Sequence, residues 1–291
     1  MNMNKPLVSV VVISYNSSKT IEETLDSIKA QTYDNIELIV ADDNSVDNTC
    51  DVVARWLQNN SDGFVKASLV SSDQNSGPTG NANRGISNGK GAWIKLIAAD
   101  DALLPNCIED NVEFINNNPK AQIVFSRVSP LGDGKLPIND DYYLHFWSLS
   151  KKRQYFILLM NNCLYAASAF IKRDTWKRLG QFNESIPFIE DWPFWIKAMR
   201  CGTSLDFLNK QTVLYRVHDS LSMTAKPSAN YLKSLAYVKQ STCQYQLEIS
   251  PLFRFYCFVN ERYSNKLFRI ILLLFNPYYW YMKHVLSPQK L

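Results

Sequence analysis

The sequence predicts an α/β fold in which a doubly wound, mixed but mainly parallel sheet is flanked by helices and followed by a C-terminal helical extension. Three observations carry that prediction. Unbroken apolar runs rich in β-branched residues recur, beginning with LVSVVVIS (7–14). Such runs mark strands buried on both faces, as in parallel sheets. Segments with apolar residues at helical spacing separate them, so that strand and helix alternate as far as residue 128, the pattern of parallel strands joined by helical crossovers. Two of the strand-like runs end abruptly in paired aspartates, Asp42-Asp43 and Asp100-Asp101, and open α/β sheets bind ligands beyond the carboxyl ends of their strands.

The elements follow in order. Asn16 and Ser17 end the first strand. In SKTIEETLDSIKAQ the residues Ile21, Leu25 and Ile28 lie at helical spacing. Glu22 and Glu23 sit in the first turn, where the helix dipole favours anions. IELIVA (36–41) is the second strand, and residues 47–59 form a helix with Val52, Val53, Trp56 and Leu57 on one face. VKASLVSS (65–72) is a third strand, GNANRGISNG (80–89) a short helix stopped by glycine, and AWIKLIA (92–98) a fourth strand. Pro105 lies near the start of a helix through Phe114 and Ile115, and AQIVFSRV (121–128) is a fifth strand. The rhythm then changes. SPLGDGKLPINDD (129–141) reads as a loop, and 142–165 is aromatic-rich. SAFIKRDTWKRLGQF (168–182) reads as strand, turn and short helix. EDWPFWIKAMRCG (190–202) reads as a helix closing on Gly202, and TVLYRVH (212–218) as a strand. From 225 onward helical stretches carry basic and aromatic residues.

Composition narrows the function classes. The chain has 291 residues and a net charge of +4, with no low-complexity tract and no apolar run long enough to span a bilayer. The first residues show no signal-peptide pattern. Six scattered cysteines without a CxxC pair fit reduced thiols in a cytoplasmic protein rather than a zinc site or a disulfide framework. The charge is uneven: residues 226–291 hold nine Lys/Arg and two Glu, a balance of +7, which leaves −3 on residues 1–225. No Walker loop and no GxGxxG occurs, which argues against P-loop and dinucleotide enzymes. LIVADDNSVDN has the look of a receiver domain's acidic strand end, but a full strand and helix precede it, and the chain is too long.

Two carboxylates at one strand end repel each other unless a positive charge joins them. Oxygen ligands without a partnering Cys or His cluster suit a hard cation, Mg²⁺ or Mn²⁺, held through one or two carboxylates and substrate phosphates. A nucleoside diphosphate is then the natural ligand. A capping or turn role remains the alternative for either pair taken alone.

Several segments now line up. VSVVVISYNSSKTIEETLDSIKAQTYDNIELIVADDNSVDNT, NSGPTGNANRGI, GAWIKLIAADDALLP, RLGQFNESIPFIEDWPFWIKA and LYRVHDSLS together resemble the family-2 glycosyltransferases with the GT-A fold. The resemblance covers residues 6–222, in matching order. It implies a catalytic domain over 1–222, with a nucleotide-sugar-binding half at 1–128 and an acceptor-side half at 129–222, and a separate basic, aromatic helical region at 223–291. It implies transfer of a sugar from a nucleotide donor, usually UDP-linked, with inversion at the anomeric carbon. Ser14, Tyr15 and Asn16, with Asp42 and Asp43, match positions that cradle the nucleoside. Asp100 matches the metal-ligand position of the acidic motif, with Asp101 beside it. Glu190 and Asp191 match the acidic pair before a ligand-facing helix, Asp191 as base, with Trp192 next to it. His218 matches a histidine that approaches the metal or diphosphate. The chain departs from the family pattern twice: Ala98 stands where a first carboxylate is usual, and Ala82 where an arginine is usual, with Arg84 two residues on. Those departures keep open a second reading, a nucleotide-sugar-binding protein without catalysis.

Residues 251–291 combine eleven aromatics with six Lys/Arg and one Glu. Tyr, Trp and Lys together suit a bilayer interface. A glycan or polyisoprenoid-linked acceptor would be met there, at the inner face of the cell membrane. Packing on the catalytic core and a dimer interface are the alternatives. Nucleic acid is not an expected partner, because the core is acidic and shows no basic groove motif.

Overall fold

The computed structural model describes residues 5–217 and 228–286. The chain divides into two compact units, one of residues 1–137 and 165–231, the other of residues 138–164 and 232–291.

The first unit is built on an eight-stranded sheet. Its strands are β1 (Val8–Ser14), β2 (Ile36–Asp42), β3 (Lys66–Ser71), β4 (Trp93–Ala98), β5 (Ala102–Leu103), β6 (Ile123–Leu131), β7 (Phe170–Lys172) and β8 (Leu205–Arg216), in the order β3-β2-β1-β4-β7-β6-β8-β5. The pairs β1–β2, β1–β4, β2–β3 and β6–β8 are parallel, and β4–β7, β6–β7 and β5–β8 antiparallel. This is the mixed, mainly parallel sheet expected from the sequence. The central strands are buried nearly throughout: Val8, Val10, Val11 and Val12 of β1 and Leu38, Val40 and Ala41 of β2 expose nothing to solvent. Two-sided burial explains why their sequences run apolar without alternation.

Helices α1 (Ile21–Lys29), α2 (Thr49–Asn60), α3 (Gly77–Asn88) and α4 (Cys107–Asn117) connect these strands. The helix α3 approaches the sheet so closely that a Cβ on Gly85 would lie 2.5 Å from Val11 Cγ1 and 3.0 Å from Ala41 Cβ. The glycine in NANRG is therefore a packing requirement. The short helix α7 (Arg173–Arg178) and the helix α8 (Asp191–Arg200) complete the unit; α8 stops before Gly202, whose φ of 75° is the left-handed conformation glycine adopts freely. At the opposite end of the sheet from the aspartate pairs, Arg173 donates to Ser9 Oγ (2.6 Å) and to the Ile86 carbonyl (2.7 Å), while Ser9 donates to Glu37 Oε1 (2.6 Å). This buried network fastens β7 to the start of β1.

Two details differ from the sequence expectation. The last strand begins at Leu205, not near 212, because Asn209, Lys210 and Gln211 are exposed and give its first half a loop-like composition. The fifth strand continues to Leu131 through Pro130. Proline is tolerated there because β7 pairs with β6 only at Ile123 and Val124, so nothing on that side needs the missing N–H.

The second unit contains α5 (Asp140–Ser148), α6 (Lys151–Leu158), most of α9 (Ala229–Ile249), α10 (Pro251–Arg262), α11 (Lys266–Leu273) and α12 (Pro277–Leu286). Its core is aromatic: the Phe156 and Phe253 rings lie 4.9 Å apart, and Phe253 and Tyr278 5.0 Å apart. Buried Gln246 ties α9 to the end of α6 by donating to the Leu159 carbonyl at 2.6 Å. Among the described residues no helix is long and apolar enough to cross a membrane.

Candidate active site

Strand register brings the sequence motifs together. Ser14 is paired with Asp42 across β1–β2, and Ile13 with Ala98 across β1–β4. The SYN segment therefore emerges between the two acidic pairs, Asp42-Asp43 on one side and Asp100-Asp101 on the other.

On the first side the carboxylates are tightly held. Asp42 is fully buried; its Oδ1 accepts from Ser14 Oγ (3.0 Å) and Ser45 Oγ (2.6 Å), and its Oδ2 from the Ser45 N–H (2.8 Å). Asp43 Oδ1 accepts from the Ser76 N–H (3.0 Å), Ser76 Oγ (2.7 Å) and Arg84 Nη2 (3.0 Å), and Oδ2 from the Gly77 N–H (2.7 Å). Arg84 Nη2 also reaches Asn81 Oδ1 (2.6 Å) and the Asp42 carbonyl (3.1 Å). The arginine two residues past the usual position thus braces the strand end, whereas Ala82 is sealed in the core. Asn16 and Asn44 both have positive φ, 51° and 64°, a conformation that asparagine tolerates better than most residues. Asn16 Oδ1 accepts from the Val46 N–H at 2.9 Å, and its own N–H donates to Ser45 Oγ at 2.8 Å. The two loops are stitched into one surface, over which the Tyr15 side chain stands half exposed. Asp47 accepts from the Ser18 N–H (3.1 Å) and the Thr49 N–H (3.0 Å). Burial would raise its carboxyl, but hydrogen bonds from Thr49 and Ser18 prevail and bring it down to about 2.

On the second side Asp101 is buried and Asp100 half-buried. Asp101 Oδ1 accepts from the Arg216 N–H (2.8 Å), and Arg216 Nε donates to the Asp100 carbonyl (2.8 Å) while its guanidinium pairs with Glu23. Burial, and then the charge of Asp100, push the Asp101 carboxyl up to about 8 against the opposing pull of Arg216.

Glu190 and Asp191 open α8. The chain before them is held by α3: Thr79 Oγ1 donates to the Ile186 carbonyl (2.6 Å), Asn83 Nδ2 to the Phe182 carbonyl (2.9 Å) and Glu184 Oε1 (2.8 Å). Gly77 faces Pro187, whose carbonyl oxygen would lie 2.6 Å from an added Cβ. Burial, and then Asp191, raise the Glu190 carboxyl above the usual range. Neither residue is explained by capping: Asp191 is the first helical residue, and Glu190 at the cap position makes no side-chain cap bond. Trp192 is buried at 5% exposure.

Tyr215, near the end of β8, draws the acidic groups into one neighbourhood. Burial raises its hydroxyl pKa first, followed by the charges of Asp101 and Asp100, with Asp191 also contributing. Its ring lies 5.4 Å from that of Tyr165. His218, expected at the metal or diphosphate, lies outside the described residues. The sequence reading missed Arg216, Tyr215, Ser45 and Ser76. The dipeptide Tyr215-Arg216 lies inside the LYRVHDS motif, so a signal was present beside the histidine that drew the attention.

No group of three or more His, Cys, Asp or Glu side chains able to hold a metal occurs among the described residues. The donor set nevertheless fits a hard cation that takes its remaining ligands from a diphosphate. Asp100 and Asp101 supply oxygen alone, and their mutual repulsion is what a divalent charge relieves.

Comparison with known proteins agrees with the fold. The chain is 27% identical over 256 residues to the Escherichia coli UDP-Glc:alpha-D-GlcNAc-diphosphoundecaprenol beta-1,3-glucosyltransferase WfaP, covering 86% of this chain and 90% of that one. S. aureus TarS superposes with a TM-score of 0.64 at 18% identity, covering 94% of this chain and 44% of that one. A mannosyltransferase from Pyrobaculum calidifontis, solved with GDP-Man and Mn²⁺, superposes with a TM-score of 0.60 at 19% identity, over 97% of this chain and 85% of that one. At such identities the two structures establish the shared fold. Residues 9–176, more than half of the chain, match the model of Glycosyl transferase family 2, and the chain belongs to that family.

Proposed function

We propose that this chain transfers a sugar from a nucleotide donor, UDP-linked, to a hydroxyl of a lipid-linked or glycan acceptor, with inversion, in the synthesis of a cell-surface polysaccharide. The observation that carries this reading is the register that sets Asp42-Asp43, the SYN loop and Asp100-Asp101 side by side at the ends of β2, β1 and β4. WfaP supports the donor and the lipid-linked acceptor, since its name specifies UDP-Glc and a diphosphoundecaprenol-linked sugar.

In this reading Tyr15, Ser14 and Asn16 form the nucleoside cradle. Asp43 accepts the N–H of the base, through Oδ2, which takes one hydrogen bond from the protein against three on Oδ1. Asp42 serves by holding Ser14 and Ser45 in place. Asp100, with Asp101 beside it, would hold Mn²⁺ or Mg²⁺, and His218 would serve the same cation or the diphosphate. The chemistry such a cation would supply is stabilisation of the charge on the departing diphosphate. Asp191 accepts the proton of the acceptor hydroxyl as that oxygen attacks the anomeric carbon from the face opposite the leaving group. Glu190 tunes Asp191 by its adjacent charge, and Trp192 shapes the wall on the acceptor side. A single displacement of this kind inverts the anomeric configuration.

Calorimetric titration of UDP into the chain, with and without Mn²⁺, tests the assignment on the wild type and on Asp100→Ala. Binding that needs both the metal and Asp100 supports it. Binding indifferent to both removes the cation from the mechanism. Metal-dependent UDP binding without transfer in a screen of donor sugars and acceptors would instead favour the non-catalytic binding protein.

A further inference from the structure

Within the second unit, α11 turns its apolar side outward. Leu267 is 68% exposed, Ile271 62%, Leu274 43% and Phe275 94%. These positions recur at i, i+4, i+7 and i+8, one face of a helix. The residue α11 buries, Leu273, lies on the opposite face, so the helix is already docked and the exposed stripe is surplus to the fold. The feature extends along the unit: Leu252, Phe255, Phe258, Phe268 and Trp280 are also at least 41% exposed. Apolar exposure on this scale in one unit marks an interaction surface.

Charge identifies the partner. Arg262, Lys266 and Lys283 are exposed on the same unit, and between Ser250 and Leu286 the only acidic residue is Glu261, which pairs with Arg254. Lys283 lies 5.4 Å above the Trp280 ring, an aromatic–cation pair suited to the zone between headgroups and acyl chains. A second copy of this chain, meeting the same face in a two-fold pairing, would press these cations against their own counterparts. An anionic bilayer satisfies both halves of the surface, taking the apolar side chains into its acyl region and the Lys and Arg heads against its phosphates.

We infer that α11 and the turn at Leu274–Phe275 form a membrane-surface anchor, lying in the interface of an anionic leaflet without crossing it. The inference deepens the proposed function by giving the surface on which a lipid-linked acceptor is met, and it rests on that reading for its purpose. The test is sedimentation of the full chain with vesicles of phosphatidylcholine alone or mixed with phosphatidylglycerol. It compares the wild type with the variant Ile271→Gln/Phe275→Gln and with Lys266→Gln/Lys283→Gln, which removes two exposed cations. The wild type should bind the anionic vesicles and release them as salt rises. Each double variant should lose about tenfold or more in partitioning, while its UDP titration, read on the first unit, stays unchanged. Three results would overturn the inference: no binding to anionic vesicles, binding that both double variants retain, or a dimer in solution that Ile271→Gln/Phe275→Gln dissolves. None depends on transfer activity, so the anchor can fail while the sugar transferase stands, and the reverse.

Discussion

The same dipeptide, Asp-Asp, ends β2 and follows β4, and the protein treats the two pairs in opposite ways. Around Asp42 and Asp43 it assembles its own partners: Ser14, Ser45, Ser76, the Gly77 N–H and the Arg84 guanidinium. Around Asp101 it leaves a buried carboxyl next to another carboxylate, opposed by one backbone N–H and the charges of Arg216 and Lys95. Paired acids at a strand end are therefore not one kind of site. The first pair is a rigid acceptor whose four carboxylate oxygens the fold already hydrogen-bonds. The second leaves two neighbouring carboxyls whose mutual repulsion the protein's own groups offset only in part.

Substitution at Asp100 should have the largest effect and test that contrast directly. Asp100→Ala is expected to lower the transfer rate about a thousandfold or more, because several kcal/mol of leaving-group stabilisation disappears. It should also make UDP affinity indifferent to Mn²⁺ while leaving thermal stability close to wild type. If stability falls steeply instead and metal dependence survives, the second pair is structural like the first, and the distinction collapses.

The pair at the start of α8 sharpens the comparison, since it shares the raised carboxyl but not the strand end. Asp191→Asn should reduce kcat about a hundred- to ten-thousandfold with little change in UDP affinity. The base acts in its ionised form, so the rate must fall as the pH drops through the apparent pKa of the Glu190–Asp191 pair. Burial and mutual repulsion place that acid limb above the ordinary carboxylate range. Glu190→Gln removes the neighbouring charge and should move the limb to lower pH. A pH–rate profile of kcat/KM on the three proteins reads both effects, and an unmoved limb would separate Glu190 from the base.

How much of this was legible in the sequence depends on whether the physics is local. β1, β2 and β4 announce themselves because burial on both faces leaves them mostly apolar without alternation, Ser9, Glu37 and Lys95 being the buried exceptions, and the aspartates at their ends stand out for the same reason. The first half of β8 does not, since Asn209 to Gln211 are exposed and β8 carries extra residues, bulging opposite Arg127 of β6. The two-residue strand β5 hides between Asp101 and Pro105. Least legible are the long-range partners. Arg216 reaches Asp101 across 115 positions and Glu23 across 193, and Asn83 holds Phe182 across 99. No periodicity encodes such contacts. Only the order of motifs along the chain pointed toward them, and it pointed at His218 rather than at the arginine two residues before.

Arg84 gives the smallest effect, and the one that tests the first side of the comparison. Its guanidinium is about a fifth exposed, whereas the Asp43 carboxylate that it holds is almost wholly buried. Removing it leaves that carboxylate with three of its four hydrogen bonds and without its countercharge. Arg84→Met should therefore cost about 1.5–3 kcal/mol of stability, read from denaturant midpoints, and weaken UDP about tenfold as the Asp42–Ser45 turn loosens. Arg84→Lys, which restores charge but not the fork that spans Asp43, Asn81 and the Asp42 carbonyl, should recover only part of either. Both losses should be the same with and without Mn²⁺, because the arginine acts on the side of the site that the cation does not touch. An Arg84 variant whose defect is repaired by raising Mn²⁺ would mean that the two acidic pairs share one electrostatic balance and are not the separate devices that their hydrogen bonding describes.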